Sequence, residues 1–380
     1  MFQLIQERAF WLGWACLQGI GPILIRRLHQ HFGVLSAAWA ADVLDLVEVE
    51  GIGFQTADAI ARERSKLDPE QLLVQQLQSN PHFLTPADCD YPQLLLEIPD
   101  PPPVLYYRGQ IDSAEMRGDK QAIALVGTRN PTEYGKRWTR IISRALAQTG
   151  FTVVSGLAEG IDTVAHQCCL EVGGRTIAIL GTGVDVVYPA SNRKLAQAVG
   201  NQGLLLSEYP AKTQPERANF PRRNRIIAGL CRATLVLEAP TKSGALITAQ
   251  LANDYGRDVY TLPGSLDQRN SLGCLHLIEK GAQLILGENQ LLDALGTLPQ
   301  FQNRFDVRST PDQLSLLNQP TIQLEPDLDC VFKAVGLEPS AFDLIVHDSG
   351  LSTSSVSSAL VQLEMMGLVN HLPGMLYQRC

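Results

Sequence analysis

Apolar residues change their period several times along this chain. Through residues 1–80 they recur at helical spacing in short runs broken by glycine. Two runs share an opening: Gly19-Ile20-Gly21 leads to Leu28, and Gly51-Ile52-Gly53 leads to Ile60. An apolar residue between two glycines ahead of a helix is the helix-hairpin-helix pattern, in which the turn can approach a phosphate and the first helical amides can bind it. Residues 81–105 lose this regularity, end in Asp100-Pro101-Pro102-Pro103, and read as a largely extended connector. Beyond residue 120, apolar β-branched runs of strand length alternate with helical stretches, at 122–126, 152–155, 176–180, 204–207, 234–238, 258–262 and 283–286. Strands that are apolar throughout and separated by helices predict a parallel sheet covered on both faces. The expectation is a doubly wound α/β domain over 81–297 whose ligand belongs at the carboxyl ends of the strands. Residues 298–324, with Pro299, Pro311 and Pro320 spread through them, read as a linker. Helical pattern returns over 325–380, at 331–335, 341–347 and 353–366, with Gly350-Leu351 as a turn and Pro373-Gly374 as a hairpin turn within 369–377. That order spells a winged helix, whose core draws on Val356, Leu360, Leu363 and Leu368.

Composition adds limits rather than a fold. With 380 residues, 45% of them apolar and 18% charged, the chain suits two or three ordinary globular domains. A net charge of −8 argues against a general nucleic-acid coat, yet the charge is uneven. Residues 1–80 carry 6 basic and 9 acidic side chains, residues 81–324 carry 23 of each, and residues 325–380 carry 2 against 7. Any nucleic-acid surface must be a local patch, placed best in the middle segment. The eight cysteines form no Cys-x-x-Cys pair and read as reduced thiols, with metal ligation not expected. Glu7 and Arg8 interrupt the stretch a signal peptide would need, and no run of about 18 apolar residues exists. A cytoplasmic protein without a membrane partner is expected.

Chemistry concentrates at Asn219-Phe220-Pro221-Arg222-Arg223-Asn224-Arg225. With Arg217, four arginines fall within nine residues beside an aromatic ring, and the adjacent Glu216 cannot neutralise them. Guanidinium forks grip phosphate bidentately, and a ring can stack on a base. Small residues close several strands: Gly127-Thr128-Arg129, Ser155-Gly156, Gly181-Thr182-Gly183 and Ser243-Gly244. Glycine serves any turn that needs positive φ, but four such loops joined to the arginine run suggest a phosphate-lined rim. The stretch 155–162 lacks a full Gly-x-Gly-x-x-Gly, and no Walker lysine pattern exists, so neither a dinucleotide nor a nucleoside-triphosphate cofactor is expected.

Taken together, Gly127-Thr128-Arg129, Ser155-Gly156 with Gly160-Ile161-Asp162, the run from Phe220 to Leu230, Ser243-Gly244 with Ile247-Thr248-Ala249, and Leu262-Pro263-Gly264-Ser265 resemble the DNA-processing protein A (DprA/Smf) family. The resemblance is dense over residues 81–295 and extends in order and size to both flanking domains. It implies an extended Rossmann-like fold, an N-terminal helix-hairpin-helix or SAM-like domain, and a C-terminal winged helix. It further implies a homodimer that binds and protects incoming single-stranded DNA and promotes loading of the RecA recombinase in natural transformation, with no catalysis. On the matching positions, Arg129, Arg222, Arg223 and Arg225 would meet phosphates, unless some of them brace the loop internally. Gly127, Thr128, Ser155, Gly156, Ser243 and Gly244 would offer amides and hydroxyls, and Phe220 and Asn224 would contact or position a base. Glu159 departs from the pattern, standing where the family often has a basic residue. The winged helix departs too: residues 353–366 contain no basic side chain, which favours packing or protein contact over duplex binding. The N-terminal hairpins are likewise acidic, Glu50 adjoining the second, and packing is favoured there.

An enzymatic rival is a nucleotide phosphoribohydrolase of the lysine-decarboxylase-like group. Glycosidic cleavage needs a carboxylate beside the sugar, and residues 243–252 contain none, leaving Glu159, Asp162 and Glu238 as candidates. His166 falls mid-helix, outside a nucleophile context. A third reading is a scaffold that has lost its ligand. Phe220 has two open roles, base stacking and core packing ahead of a helix.

Overall fold

The computed structural model describes residues 2–80, 82–296, 326–336, 340–365, 369–372 and 376–379. These form two compact units, one ending at Gly296 and the other beginning at Pro326. The expected linker at 298–324 and the Pro373-Gly374 turn lie outside the described residues.

In the first unit, nine strands build one sheet: β1 (Phe83–Leu84), β2 (Leu105–Gly109), β3 (Ala122–Val126), β4 (Thr152–Ser155), β5 (Thr176–Leu180), β6 (Leu204–Ser207), β7 (Ala233–Val236), β8 (Asp258–Thr261) and β9 (Gln283–Leu284), in the order β1-β2-β6-β5-β4-β3-β7-β8-β9. From β6 to β9 across the sheet all neighbours are parallel, while β2 joins β6 antiparallel and β1 joins β2 antiparallel. Side chains of β3 alternate between two cores: Ala122, Ala124 and Val126 face one, Ile123 and Leu125 the other. Burial on both faces is what makes these strands apolar throughout.

The segment 81–105 is not the loose connector its prolines suggest. It supplies β1 and the helix Gln93–Leu96 and buries Tyr91, Leu95 and Ile98 in the core beside the Asn219–Leu230 helix. Tyr91 donates its hydroxyl hydrogen to the Pro102 carbonyl at 2.8 Å, so the prolines shape a packed corner.

Both N-terminal glycine hairpins form. Gly19 and Gly51 adopt positive φ (77° and 89°), Ile20 and Ile52 are buried, and helices Pro22–Phe32 and Phe54–Arg64 begin directly after Gly21 and Gly53. Arg27 of the first hairpin donates to the Glu50 carbonyl beside the second at 2.9 Å. The helices pack onto the sheet edge through Arg8, which donates to the Phe83 carbonyl at 2.8 Å and pairs with Asp88 at 3.2 Å.

In the second unit, helices Pro326–Ala334, Phe342–Ser349 and Thr353–Met365 surround Val331, Ile345, Val356, Leu360 and Leu363, with a small antiparallel sheet of β10 (Ser340–Ala341), β11 (Val369–Leu372) and β12 (Leu376–Arg379). Gly350 ends its second helix in the left-handed conformation (φ 66°). Helix, helix, helix and hairpin make a winged helix.

Candidate nucleic-acid interface

The chain reverses its direction of travel across the sheet at β3, which has β4 on one side and β7 on the other. A crevice therefore opens outside the carboxyl ends of these strands, the usual ligand position in such a sheet. Its walls come from the loops after β3, β4, β5, β6 and β7 and from the helices Asn219–Leu230 and Gly244–Asp254.

β3 runs into Gly127-Thr128-Arg129. A Cβ on residue 127 would lie 2.5 Å from the Ile161 side chain and 2.9 Å from the Glu238 carbonyl oxygen, so only glycine lets the chain pass. The Thr128 amide donates to that Glu238 carbonyl at 2.7 Å and ties the loop to the end of β7. Arg129 emerges into solvent, its guanidinium carbon 5.9 Å from the centroid of the Phe220 ring. Phe220, at the start of the Asn219–Leu230 helix, is half-buried, packed over Gly181 and against Tyr188 at 5.4 Å between centroids. After β7, Ser243 caps the Gly244–Asp254 helix by accepting from the Ala245 amide at 3.3 Å, and Asn224 donates to the Gly244 carbonyl at 3.2 Å. The resulting cleft holds about 660 Å³, enough for a nucleotide.

Three cations line this cleft in the open: Arg129, Arg217 and Lys242. None has an ion-pair partner among the described residues. The floor carries a buried carboxyl, Asp162, which accepts from the Gly156 and Ala158 amides at 3.0 and 3.3 Å. Burial pushes its pKa up, with the nearby Arg223 guanidinium pulling the other way. Glu159 stands exposed at the rim between Arg129 and Tyr188.

For three expected phosphate contacts the structure gives an internal bond instead. Arg223 is buried and donates to the Gly156 carbonyl at 2.8 Å and to the Ile179 carbonyl; burial lowers its pKa to about 10. Arg225 is locked onto Glu208 by two bonds of 2.9 and 2.8 Å and onto Asp100 at 2.8 Å. Ser155 is fully buried and donates to the Leu125 carbonyl at 2.6 Å. Arg222 is exposed but does not line the cleft. Gly127, Thr128, Arg129, Phe220, Asn224, Ser243 and Gly244 do meet there, and Gly156 borders the recess beside Glu159. Lys242 and Tyr188 were not among the expected site residues. Lys242 directly precedes the Ser243-Gly244 helix start, where a lone lysine stands out from no pattern, and Tyr188 follows the Gly181-Thr182-Gly183 turn too far to be tied to it by spacing.

Of the three carboxylates a glycosidase could use, Asp162 and Glu238 are committed, while Glu159 stands exposed at the rim. Glu238 accepts from the Thr132 amide at 2.8 Å and from the Thr132 hydroxyl, holding the residue that caps the Glu133–Gln148 helix.

A doubly wound sheet with a cationic, aromatic-edged cleft at its switch point, in a chain that also carries a winged helix, defines the class of protein. The chain belongs to the DNA recombination-mediator protein A family, whose model matches residues 82–296, and the DprA winged helix domain matches 317–375. Protein Smf from Synechocystis sp. is 50% identical over 393 residues, covering 98% of this chain and 99% of the relative. The X-ray structure of DNA processing protein A from Streptococcus pneumoniae is similar with a TM-score of 0.65 and 35% identity, over 75% of this chain and 95% of that one. DNA processing protein A from Helicobacter pylori, whose structure concerns its single-stranded DNA binding mode, has a TM-score of 0.51 and 33% identity, over 56% of this chain and 95% of that one. Among the described residues, no helix is long and apolar enough to cross a membrane.

Proposed function

We propose that the cleft binds single-stranded DNA, with Arg129, Arg217 and Lys242 on phosphates and Phe220 and Tyr188 offering ring faces to bases. The observation that carries this is the set of three solvent-facing cations around an aromatic pair, none of them ion-paired among the described residues. Such a surface tracks a backbone and stacks bases without reading sequence. Gly127, Thr128, Ser243 and Gly244 line the same mouth, where small residues let a backbone come close. The Helicobacter pylori relative binds single-stranded DNA, which supports the same ligand here. In the cell we infer a cytoplasmic, homodimeric protein that protects incoming DNA and hands it to RecA in transformation and recombination. Arg223, Arg225 and Asp162 form the frame beneath the site rather than its surface.

Binding without hydrolysis is favoured over a phosphoribohydrolase because two of its three candidate carboxylates, Glu238 and Asp162, are engaged by amides and a hydroxyl, and the third, Glu159, stands out in solvent at the rim. A gel-shift titration comparing single-stranded with duplex DNA, with and without residues 325–380, tests the proposal. Preferential binding of the single strand by both forms is expected, with no free base released from nucleoside monophosphates. Equal affinity for duplex, lost with the winged helix, would place the site elsewhere.

A further inference from the structure

A second cleft of about 650 Å³ lies beside the first and has no place in the reading above. Two exposed arginines from different elements line it. Arg108 comes from β2, where it is paired with Leu205 of β6, and Arg193 opens the Arg193–Gln202 helix. Neither has an ion-pair partner among the described residues. The stem of Arg108 runs across Gly200 of that helix, 3.9 Å from where a Cβ there would be, so the side chain is laid along the cleft wall. Gln197 and Gln214 add amide groups to the lining. The one acid lining it, Asp185, is turned to the loop after β6: both carboxylate oxygens accept from the Lys212 amide, at 2.9 and 3.1 Å.

The position of this cleft matters as much as its charge. Val187 lines it, and the next residue, Tyr188, lines the first cleft. Consecutive Cα atoms are about 3.8 Å apart, so the two clefts meet at this stretch of backbone. The exposed Tyr188 ring stands at this junction.

We propose that Arg108 and Arg193 form a second backbone-binding subsite for the same DNA strand, with Tyr188 as the ridge between the two. The inference rests on the single-strand reading of the first cleft and extends it to a track running from the switch point toward the β2 edge. The ligand chemistry is a phosphodiester chain, since two guanidinium groups without ion-pair partners among the described residues and two amides offer donors to anionic oxygens.

Affinity for oligo-dT of 4 to 20 nucleotides, measured by fluorescence anisotropy at several salt concentrations, tests it with the full chain. For the R108A/R193A double variant, the log–log salt slope for the longest oligomer should flatten by ~1.4, from about 0.7 per phosphate contact on a single strand. Affinity should also stop rising with length at a shorter oligomer than in the unaltered protein, while the shortest oligomers bind as before. R108K/R193K should restore the slope, and an unchanged melting temperature should accompany both variants. A salt slope equal to that of the unaltered protein, or an affinity loss identical at every length, would overturn the subsite. Arg129→Ala binding every length as tightly as the unaltered protein would instead sink the first-cleft reading.

Discussion

Arg223 occupies the space that a side chain on residue 156 would need. Its Nη1 donates to the Gly156 carbonyl at 2.8 Å, and its Nη2 lies 2.4 Å from where a Cβ on that glycine would be. The contact joins the loop after β4 to the Asn219–Leu230 helix, and through the Ile179 carbonyl it reaches β5 as well. Arg223 is therefore a brace beneath the cleft at the switch point. Arg223→Ala strips donors from two buried carbonyls, a loss of about 1–3 kcal/mol for each acceptor left unsatisfied, and removes the cation that draws the buried Asp162 toward its charged form. Urea denaturation should show the loss. Gly156→Ala, facing a guanidinium that is pinned at both ends, should cost about 1–3 kcal/mol. Full retention of stability in Arg223→Ala, with a flattened salt slope for DNA, would return this arginine to the phosphates.

The inward turn of Arg223 was legible in the sequence, though only through the helix period. Residues 223, 226, 227 and 230 share one face of an α-helix, and Ile226, Ile227 and Leu230 are core residues, so Arg223 rides on the buried stripe. Treating the arginines as one cationic run ignores the 100° between neighbours, which sends Arg222 outward and Arg223 inward. Arg225 could not be placed this way, because its partners Glu208 and Asp100 are remote in sequence. The strands of the parallel sheet were readable because burial on both faces makes them apolar, and 122–126, 152–155, 176–180 and 204–207 appear as expected. β7 ends at Val236, before Glu238, because that residue leaves the sheet to hold Thr132, the residue that caps another helix. β1 and β2 escaped notice because prolines flank them and their antiparallel pairing at the sheet edge leaves no long apolar run.

Only solvent-facing cations can release counterions on binding. Arg129, Arg217 and Lys242 fit that condition at the first cleft, whereas Arg223 and Arg225 do not. At about 0.7 per contact for a single strand, these three contribute a log–log salt slope of ~−2. Alanine at any one of them should flatten the measured slope by ~0.7 with little change in melting temperature. Arg225→Ala should do the reverse, lowering the melting temperature with the slope intact. Slopes measured by anisotropy between 50 and 300 mM salt (about the range where counterion release is well resolved) decide between these assignments.

Phe220 is held by Gly181 and Tyr188, remains half-exposed, and has the Arg129 guanidinium carbon 5.9 Å from its centroid. A ring in that position can stack on a base while still being anchored. Phe220→Ala should weaken single-strand binding by about 1–3 kcal/mol without altering the salt slope, because no charge is removed. Phe220→Tyr should bind like the unaltered protein. A drop in melting temperature with affinity preserved would assign the ring to packing alone.

His166 couples the same domain to pH. Its ring is fully buried, with Nδ1 2.7 Å from the Thr176 hydroxyl. That hydroxyl gives its only hydrogen to the Val153 carbonyl at 2.7 Å, so Nδ1 carries the hydrogen and donates, and Nε2 is left as a buried acceptor without a partner among the described residues. Protonating Nε2 would place a charge in the core, and burial, helped by the nearby Arg223 cation, depresses the pKa from 6.5 to about 3. Between those two values the unfolded chain binds a proton at this histidine and the folded chain does not, so stability falls as the pH drops from 6.5 toward 3. Each pH unit in that window costs about 1.4 kcal/mol, or roughly 2 kcal/mol at pH 5 relative to neutrality. His166→Leu removes this contribution while leaving the Thr176 hydrogen bond to Val153 intact. Urea midpoints followed from pH 7.5 to 4.5 should therefore decline less steeply in His166→Leu than in the unaltered protein. Parallel declines would mean that the folded protein protonates His166 as readily as the unfolded chain does.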